Sequence, residues 1–436
     1  MLPHHIWPDT ATISAGRLQL GGCDAQALAA AHGTPLYVFD AATLRGTMRA
    51  YLAAFRHQGL PFGVHYAAKA LLTTALAQIV AQEGLGLDVV SGAELLVARR
   101  AGVPMEQIHF HGNARGDAEL ERAVAWGVGA VVVDTLDELE RLAALTVGRA
   151  QPQGLMLRVA PDIEARTHAY IATGGADSKF GLPPEALDAA ARIVRESTGL
   201  RFLGLHAHIG SQLFDLEHLR ATVAILVRLA ARLRARHGLT TEELSPGGGL
   251  GTPYLVEEAP PDLEAYAATL SASLRDHCAA HALPLPRLTV EPGRSIVARA
   301  GVALYTVMGR KLAADGSIRY LYVDGGMADN LRPALYHARY TALLANRVEA
   351  PPGPPVTVAG RYCEAGDVLL RDVRLPLAHP GDLLAVATAG AYTLSMASTY
   401  NLVPRPAAVL VAGGRARLIQ RRETEADLLA RDVPLW

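Results

Sequence analysis

From about Phe62 to Val290 the chain alternates short apolar, often β-branched runs with longer stretches of helical period. The runs Phe62–Ala67, Leu87–Val90, Ile108–His111, Ala130–Val133, Leu155–Val159, Phe202–His208, Glu243–Ser245 and Leu288–Val290 predict strands. Between them, Thr73–Gln82, Ala93–Ala101, Ala118–Trp126, Leu136–Leu145, Pro184–Glu196, Leu216–Arg236 and Leu263–His281 predict helices. Glu243–Ser245 is poor in apolar residues and is read as a strand from its place before a glycine turn. Eight strands with a helix between each and the next is the pattern of a parallel (β/α)8 barrel. An open doubly wound sheet has the same periodicity, and periodicity does not separate the two.

After Ala300 the pattern changes. Val302–Met308, Ile318–Val323, Val356–Ala359, Leu383–Ala387 and Ala407–Val411 predict short strands separated by Gly, Pro and Asp. The proline-rich run Glu349–Pro355 reads as a surface loop. The fold class is therefore α/β, a barrel with a mostly β C-terminal domain. The leading segment, strand-like over Thr12–Leu20 and expected to hold no helix, can join that domain. The expected division is 1–38 for this segment, 39–298 for the barrel and 299–436 for the β domain.

Bulk properties narrow the function. The 436 residues exceed one ordinary core. Half are hydrophobic and 19% charged, which implies a large interior or a sizeable subunit interface. A net charge of −1 with no basic block argues against nucleic-acid and anionic-membrane partners. The substrate is therefore expected to be small. Met1–Ile13 has no apolar core of a signal peptide, and no stretch is long and apolar enough to span a bilayer. The three cysteines, Cys23, Cys278 and Cys363, make no disulfide framework, so a reduced cytoplasmic compartment is expected.

In a barrel, chemistry sits where strands finish. Nearly every predicted strand ends in polar or glycine residues: Lys69, Asp88 with Ser91, His111 with Asn113, Asp134, Arg158, His208 with Ser211, Gly247–Gly249, and Glu291 with Arg294. Loop residues are commonly polar, so only their convergence points to a site. Glycines let backbone N–H groups approach a phosphate, although a triple glycine alone is more often a tight turn. Glu291-Pro292-Gly293-Arg294 puts an anion and a cation around a turn, an arrangement that elsewhere is usually a surface ion pair. Lys69 between alanines could be a solvated strand end; desolvated, its neutral amine could form a Schiff base. His109/His111 and His206/His208 each point two rings to one strand face. No acidic partner follows at a metal-motif spacing, so no metal is expected.

Together and in this order these residues resemble the fold-type III pyridoxal-phosphate decarboxylases, which carry an alanine-racemase-like barrel. The resemblance covers nearly the whole chain. Its blocks are His65-Tyr66-Ala67-Ala68-Lys69-Ala70, Leu87 to Leu95, Gly204 to Gln212, Gly247-Gly248-Gly249-Leu250-Gly251 and Glu291-Pro292-Gly293-Arg294. Within the family the match is nearest the diaminopimelate decarboxylases. Thr167-His168-Ala169-Tyr170-Ile171 with Ser178-Lys179-Phe180-Gly181 resembles their active-site loop, Ala169 standing where proline is usual. Asp324 to Tyr336 resembles their substrate block, with Ala328 in place of asparagine. Cys363-Glu364, Gly390-Ala391-Tyr392 and Ser395 to Ser398 complete the set, Thr393 being a further departure.

The resemblance implies pyridoxal phosphate on Lys69, with its phosphate cradled by Gly248, Gly249, Gly293, Arg294 and Ser211. It places Asp88 and Pro292 among the cofactor-binding residues. It implies that Glu291 keeps the pyridine nitrogen protonated so that the ring accepts electrons as CO2 leaves. His208 would stack on the ring, Arg158 would lie near its phenolic oxygen, and Cys363 would protonate the carbanionic carbon. Arg294, Arg332 and Tyr336 would bind a distal carboxylate, Glu364 a distal ammonium, and Tyr392 both cofactor and substrate. The implied reaction takes meso-2,6-diaminopimelate to L-lysine and CO2, the last step of lysine biosynthesis by that route. Another basic or D-amino acid (ornithine, lysine, arginine or carboxynorspermidine) is the alternative substrate. A homodimer with sites shared between subunits is also implied. Tyr336 and Tyr392 as core aromatics, and Cys363 as an inert thiol, are the readings without function.

Overall fold

The computed structural model describes residues 2–161 and 179–435. Their contacts divide into two compact units. One is Met48–Gly251 with Pro261–Gly293; the other is Met1–Thr47, Thr252–Pro260 and Arg294–Trp436.

The first of these is a closed barrel. Its strands are Phe62–Ala67, Gly86–Val89, Ile108–Phe110, Ala130–Val133, Gln153–Arg158, Leu200–His206, Glu243–Gly247 and Arg287–Val290. Each pairs in parallel with its sequence neighbours, and the last closes on the first with Leu288 opposite Phe62 and Val290 opposite Val64. An open sheet would leave two unpaired edges. Closure rules it out. Outside the barrel, Thr73, Ser91 and Thr135 begin three helices by accepting the N–H groups of Leu76, Glu94 and Glu138. Barrel interiors are usually filled by branched apolar side chains. Here His109 Nε2 lies 3.5 Å from Glu243 Oε1, although their strands are four apart around the ring. That contact must cross the interior, so part of this core is polar.

The other unit is built on a sheet in which Gly301–Leu312 is central. It pairs antiparallel with Leu36–Asp40, Ile318–Val323 and Leu383–Val386. Ala407–Ala412 lies parallel to Leu36–Asp40. Leu36–Asp40 is thus a strand of the β unit, which is why the division falls after Thr47 and not after residue 38. Thr252–Pro260 joins this unit too; Thr341 Oγ1 donates to the carbonyl of Tyr254 at 2.9 Å. The leading segment forms a hairpin, Thr12–Ser14 with Arg17–Leu20, and buries Ile6, Trp7, Leu18 and Leu20 in one core with Leu36, Val38, Val302, Leu304 and Val409. The expectation that it has no helix is wrong at Ala25–His32. Asp24 caps that helix by accepting from Gln26 and Ala27, and it buries only Ala25 and Leu28, too thin a stripe to show as a period. Among the described residues no helix is long and apolar enough to cross a membrane.

Asp329 anchors the turn that precedes Arg332. It accepts from the N–H of Gly326 at 2.7 Å and the Tyr305 hydroxyl at 2.6 Å, and the Tyr37 hydroxyl lies 3.1 Å away. Burial outweighs these donors and pushes its carboxyl up to about 6 from an ordinary 3.8. A raised acid binds protons more tightly folded than unfolded. Its contribution to stability therefore falls as pH rises from about 4 to about 6 and is flat above, a total on the order of 3 kcal/mol. Asp324 and Asp367, also raised by burial, act in the same direction. We expect Asp329→Asn to flatten this slope in urea unfolding followed at pH 4, 5, 6 and 7. A slope identical to that of the unaltered protein would reject the assignment.

Candidate active site

In the barrel unit, Lys69 sits on a single 3-10 turn, Ala68–Ala70, directly after the strand Phe62–Ala67, and its side chain is exposed. The turn is braced: Tyr66 donates its hydroxyl to the carbonyl of Leu71 at 2.8 Å, and Ala67 N–H donates to the carbonyl of Pro292. The charge of Lys69 acts on both Glu94 and His208. Glu94 is placed by its own helix start, where its carboxylate accepts the N–H of Val90 at 2.6 Å and its N–H donates to Ser91. Burial raises the Glu94 carboxyl in spite of that donor and of Lys69.

Glu291 stands at the end of the last barrel strand. It accepts from His206 Nε2 at 3.0 Å and from the Ser245 hydroxyl at 2.7 Å. Burial opposes its ionisation, but the His206 and His111 imidazoles and the Ser245 hydroxyl outweigh burial and hold it well below the ordinary carboxyl range. The result is a buried carboxylate anion. His208, half-buried, accepts the N–H of Gly248 on Nδ1 at 3.3 Å, and burial with the nearby Lys69 and Arg158 charges keeps the ring neutral. Arg158 ends its strand 3.6 Å from Asp134 and 4.4 Å over the Phe180 ring. Burial lowers its guanidinium while Asp134 supports it. Ser211 is half-buried on the loop that follows His208.

The glycine turn is shaped by exclusion. A Cβ on Gly248 would meet the carbonyl oxygen of Glu291 at 2.1 Å, and one on Gly249, at φ +107°, the carbonyl of Gly210 at 2.4 Å. Only glycine lets the turn pack this closely against the neighbouring backbone. Gly293 packs on Ala67 and Ala70 beside the lysine turn. A buried carboxylate for a ring nitrogen, an exposed amine and a Cβ-free cradle are the donor set that pyridoxal phosphate requires. The residues fit it.

Below Glu291, Asp88 Oδ1 gathers three imidazoles: His65 Nδ1 at 3.3 Å, His111 Nε2 at 3.6 Å and His109 Nδ1 at 4.0 Å. The His65 and His109 rings lie 3.9 Å apart, and Glu243 beyond them accepts the Thr289 hydroxyl at 2.6 Å. Asp88, His109, His111 and Glu291 bring ligand-type atoms within 4.8 Å of one another, as do His65, His109 and Glu243. Glu291 is already engaged by His206 and Ser245, so a cation there would compete with those bonds.

In the β unit, Arg332 opens the short helix Arg332–Tyr336 and donates through Nη1 to the Tyr340 hydroxyl at 2.6 Å. Its guanidinium lies 4.3 Å over the Tyr254 ring. Arg294 donates to the Tyr254 hydroxyl at 2.9 Å and lies 4.6 Å over the Tyr392 ring. Tyr392 holds a left-handed φ of +57°, rare for an aromatic residue and a mark of imposed placement. Tyr336 is half-buried at the end of the helix. Cys363 and Glu364 are exposed on a turn tied down by the N–H of Cys363 donating to Asn401 Oδ1 at 3.0 Å and by Asp367 accepting the N–H of Tyr362 at 2.8 Å. Thr167 to Ile171 and Ser178 lie outside the described residues.

Sequence reasoning passed over Tyr254 and Tyr340, and gave no role to Glu94 or to the imidazoles gathered on Asp88. Glu94 had a signal, a carboxylate three residues after the capping Ser91. The His-x-His spacing showed shared faces but not that Asp88 would meet them. Nothing in sequence joins Tyr254 to Arg294, 40 residues on.

Comparison with known proteins identifies the family. The family described as "Pyridoxal-dependent decarboxylase, pyridoxal binding domain" matches residues 42–298. Diaminopimelate decarboxylase of Halalkalibacterium halodurans is 42% identical over 422 residues, 96% of each chain. That of Synechocystis is 44% identical over 439 residues, covering 98% of this chain and 93% of the relative. The structure of diaminopimelate decarboxylase from M. jannaschii in complex with L-lysine superposes with a TM-score of 0.92 at 33% identity, over 100% of this chain and 99% of that one. The chain belongs to the pyridoxal-dependent decarboxylases, in the family of the diaminopimelate decarboxylases.

Proposed function

We propose that this enzyme decarboxylates meso-2,6-diaminopimelate to L-lysine and CO2, with pyridoxal phosphate held at Lys69. The observation that carries the substrate assignment is the pair of buried arginines, Arg294 and Arg332, in a chain whose relatives are diaminopimelate decarboxylases. The M. jannaschii relative, solved with L-lysine, agrees with the expected product. When bound, the cofactor supplies an electron sink for the pair released as the carboxyl leaves.

The chain's residues do the rest. Lys69 would hold the cofactor through its amine. Gly248, Gly249, Gly293 and Ser211, with Arg294, receive the phosphate, and Pro292 shapes their turn. Glu291, held anionic by His206 and Ser245, keeps a proton on the ring nitrogen. Asp88 shares His111 with that carboxylate, and Asp88, His208 and Arg158 would be among the residues that hold the cofactor ring. Arg294, Arg332 and Tyr336 take the distal carboxylate, Glu364 the distal ammonium, and Tyr392 orients both ligands. Cys363 gives a proton to the carbon that lost CO2. We place Cys363 and Glu364 in the site of a twofold partner, which their exposure on one turn supports. The free thiols of Cys23, Cys278 and Cys363 suit a reducing, cytoplasmic setting.

Purified protein supplied with pyridoxal phosphate should release CO2 and L-lysine from meso-diaminopimelate. Ornithine and D-lysine lack the distal carboxylate and leave Arg332 without an anion, a loss on the order of 2–5 kcal/mol, or roughly 30- to 4,000-fold in kcat/KM. Equal kcat/KM for ornithine would overturn the substrate assignment.

A further inference from the structure

Arg332 is buried, and among the described residues it has no carboxylate partner. Its charge is met by phenols. Tyr340 accepts from Nη1, and the faces of Tyr254 and Tyr340 lie 4.3 and 5.3 Å from the guanidinium. Its Nε is buried and finds no hydrogen-bond partner among the described residues. A guanidinium offers a carboxylate two parallel N–H bonds along one edge. With Nη1 committed to Tyr340, the edge formed by Nε and Nη2 is the one left to an anion.

Tyr254 ties the second arginine to the first. Its hydroxyl accepts from Arg294 while its ring face carries Arg332, and Tyr340 meets it edge to face with ring centroids 5.2 Å apart at 87°. Two cations are therefore held by one pair of crossed aromatic rings. Burial alone would raise both phenols, yet Arg294 and Arg332 draw the Tyr254 hydroxyl below its ordinary value. Like charges are brought together here, and Arg332 meets only phenols among the described residues. An anionic ligand supplies the counter-charge that Arg332 lacks among the described residues.

We propose that Tyr254 and Tyr340 are positioning residues for the distal carboxylate of the substrate: they orient Arg332 and Arg294 and thereby set the preference for a substrate with a second carboxylate. This rests on the substrate reading given above. Neither tyrosine need touch the reacting carbon; each acts through an arginine.

The test is Tyr254→Phe and Tyr340→Phe in the cofactor-loaded enzyme, since phenylalanine keeps the ring and removes the hydroxyl that accepts from the arginine; in Tyr340 that hydroxyl also donates to Asn330 Oδ1 at 3.4 Å. A hydrogen bond to a charged group contributes about 1.5–3 kcal/mol. We expect kcat/KM for meso-diaminopimelate to fall roughly 10- to 100-fold, mostly through KM. The slow turnover of D-lysine, which has no distal carboxylate, should stay within about threefold in Tyr340→Phe, whose partner Arg332 is given no role at the phosphate. Binding of pimelate, a dicarboxylate without amines, to the same proteins by calorimetry should weaken by a similar factor. Melting temperatures report folding separately. Equal losses for both amino acids, or no loss for diaminopimelate, would overturn the proposal. Failure of the unaltered enzyme to act on diaminopimelate would instead remove the substrate reading itself, and the pimelate titration would still report on the two tyrosines.

Discussion

Lys69→Ala should lose decarboxylase activity by at least about 1,000-fold, because the amine proposed to hold the cofactor is gone. The chain has only three lysines, Lys69, Lys179 and Lys311, so the attachment point can be read without ambiguity. Borohydride reduction of the loaded enzyme followed by peptide mapping should place the pyridoxyl group on Lys69. Lys179 is the informative control, since it lies 4.9 Å over the Phe180 ring that also carries Arg158. Label on Lys179 or Lys311 would refute the assignment. Retained binding of free pyridoxal phosphate by Lys69→Ala would not, because the glycine cradle and Glu291 remain.

Mixing two inactive proteins should restore activity. Lys69 belongs to the barrel unit, and Cys363 lies exposed on a turn of the β unit. If each site takes its lysine from one subunit and its cysteine from the twofold partner, Lys69→Ala and Cys363→Ala complement each other. Random exchange leaves about half of the dimers mixed, and each mixed dimer has one site with both residues intact, so roughly a quarter of the sites recover. Should both residues serve the site of their own chain, every site in a mixed dimer lacks one of them. Absence of recovery after labelled subunits are shown to have exchanged would therefore sink the shared-site arrangement.

Much of the barrel is legible in the order of residues, because parallel strands covered by helices leave a simple record. Ala130–Val133 and Leu136–Leu145 fall where the period puts them. The element least visible as a strand, Glu243–Gly247, is buried throughout but carries Glu243 toward a polar interior, so its composition hides it. The β unit is less legible. Leu36–Asp40 is buried along its whole length, and a short run buried on both faces has no alternation to mark it. Arg415–Gln420 fails for the opposite reason, being nearly all exposed.

For the site, sequence by itself determined the parts that a local motif can carry. A lysine at a strand end, a Cβ-free turn and a carboxylate before Pro292-Gly293 are set by neighbouring residues, because strand ends and tight turns are local. What those parts become was decided by tertiary packing. Glu291 is an anion only because His206, Ser245 and His111, from three other strands or their ends, meet it in a buried place. Arg332 is held by Tyr340 nearby and Tyr254 far back in the chain, on a loop that the β unit takes up. Charge state and orientation depend on distances between residues remote in sequence. Folding alone brings those residues within reach.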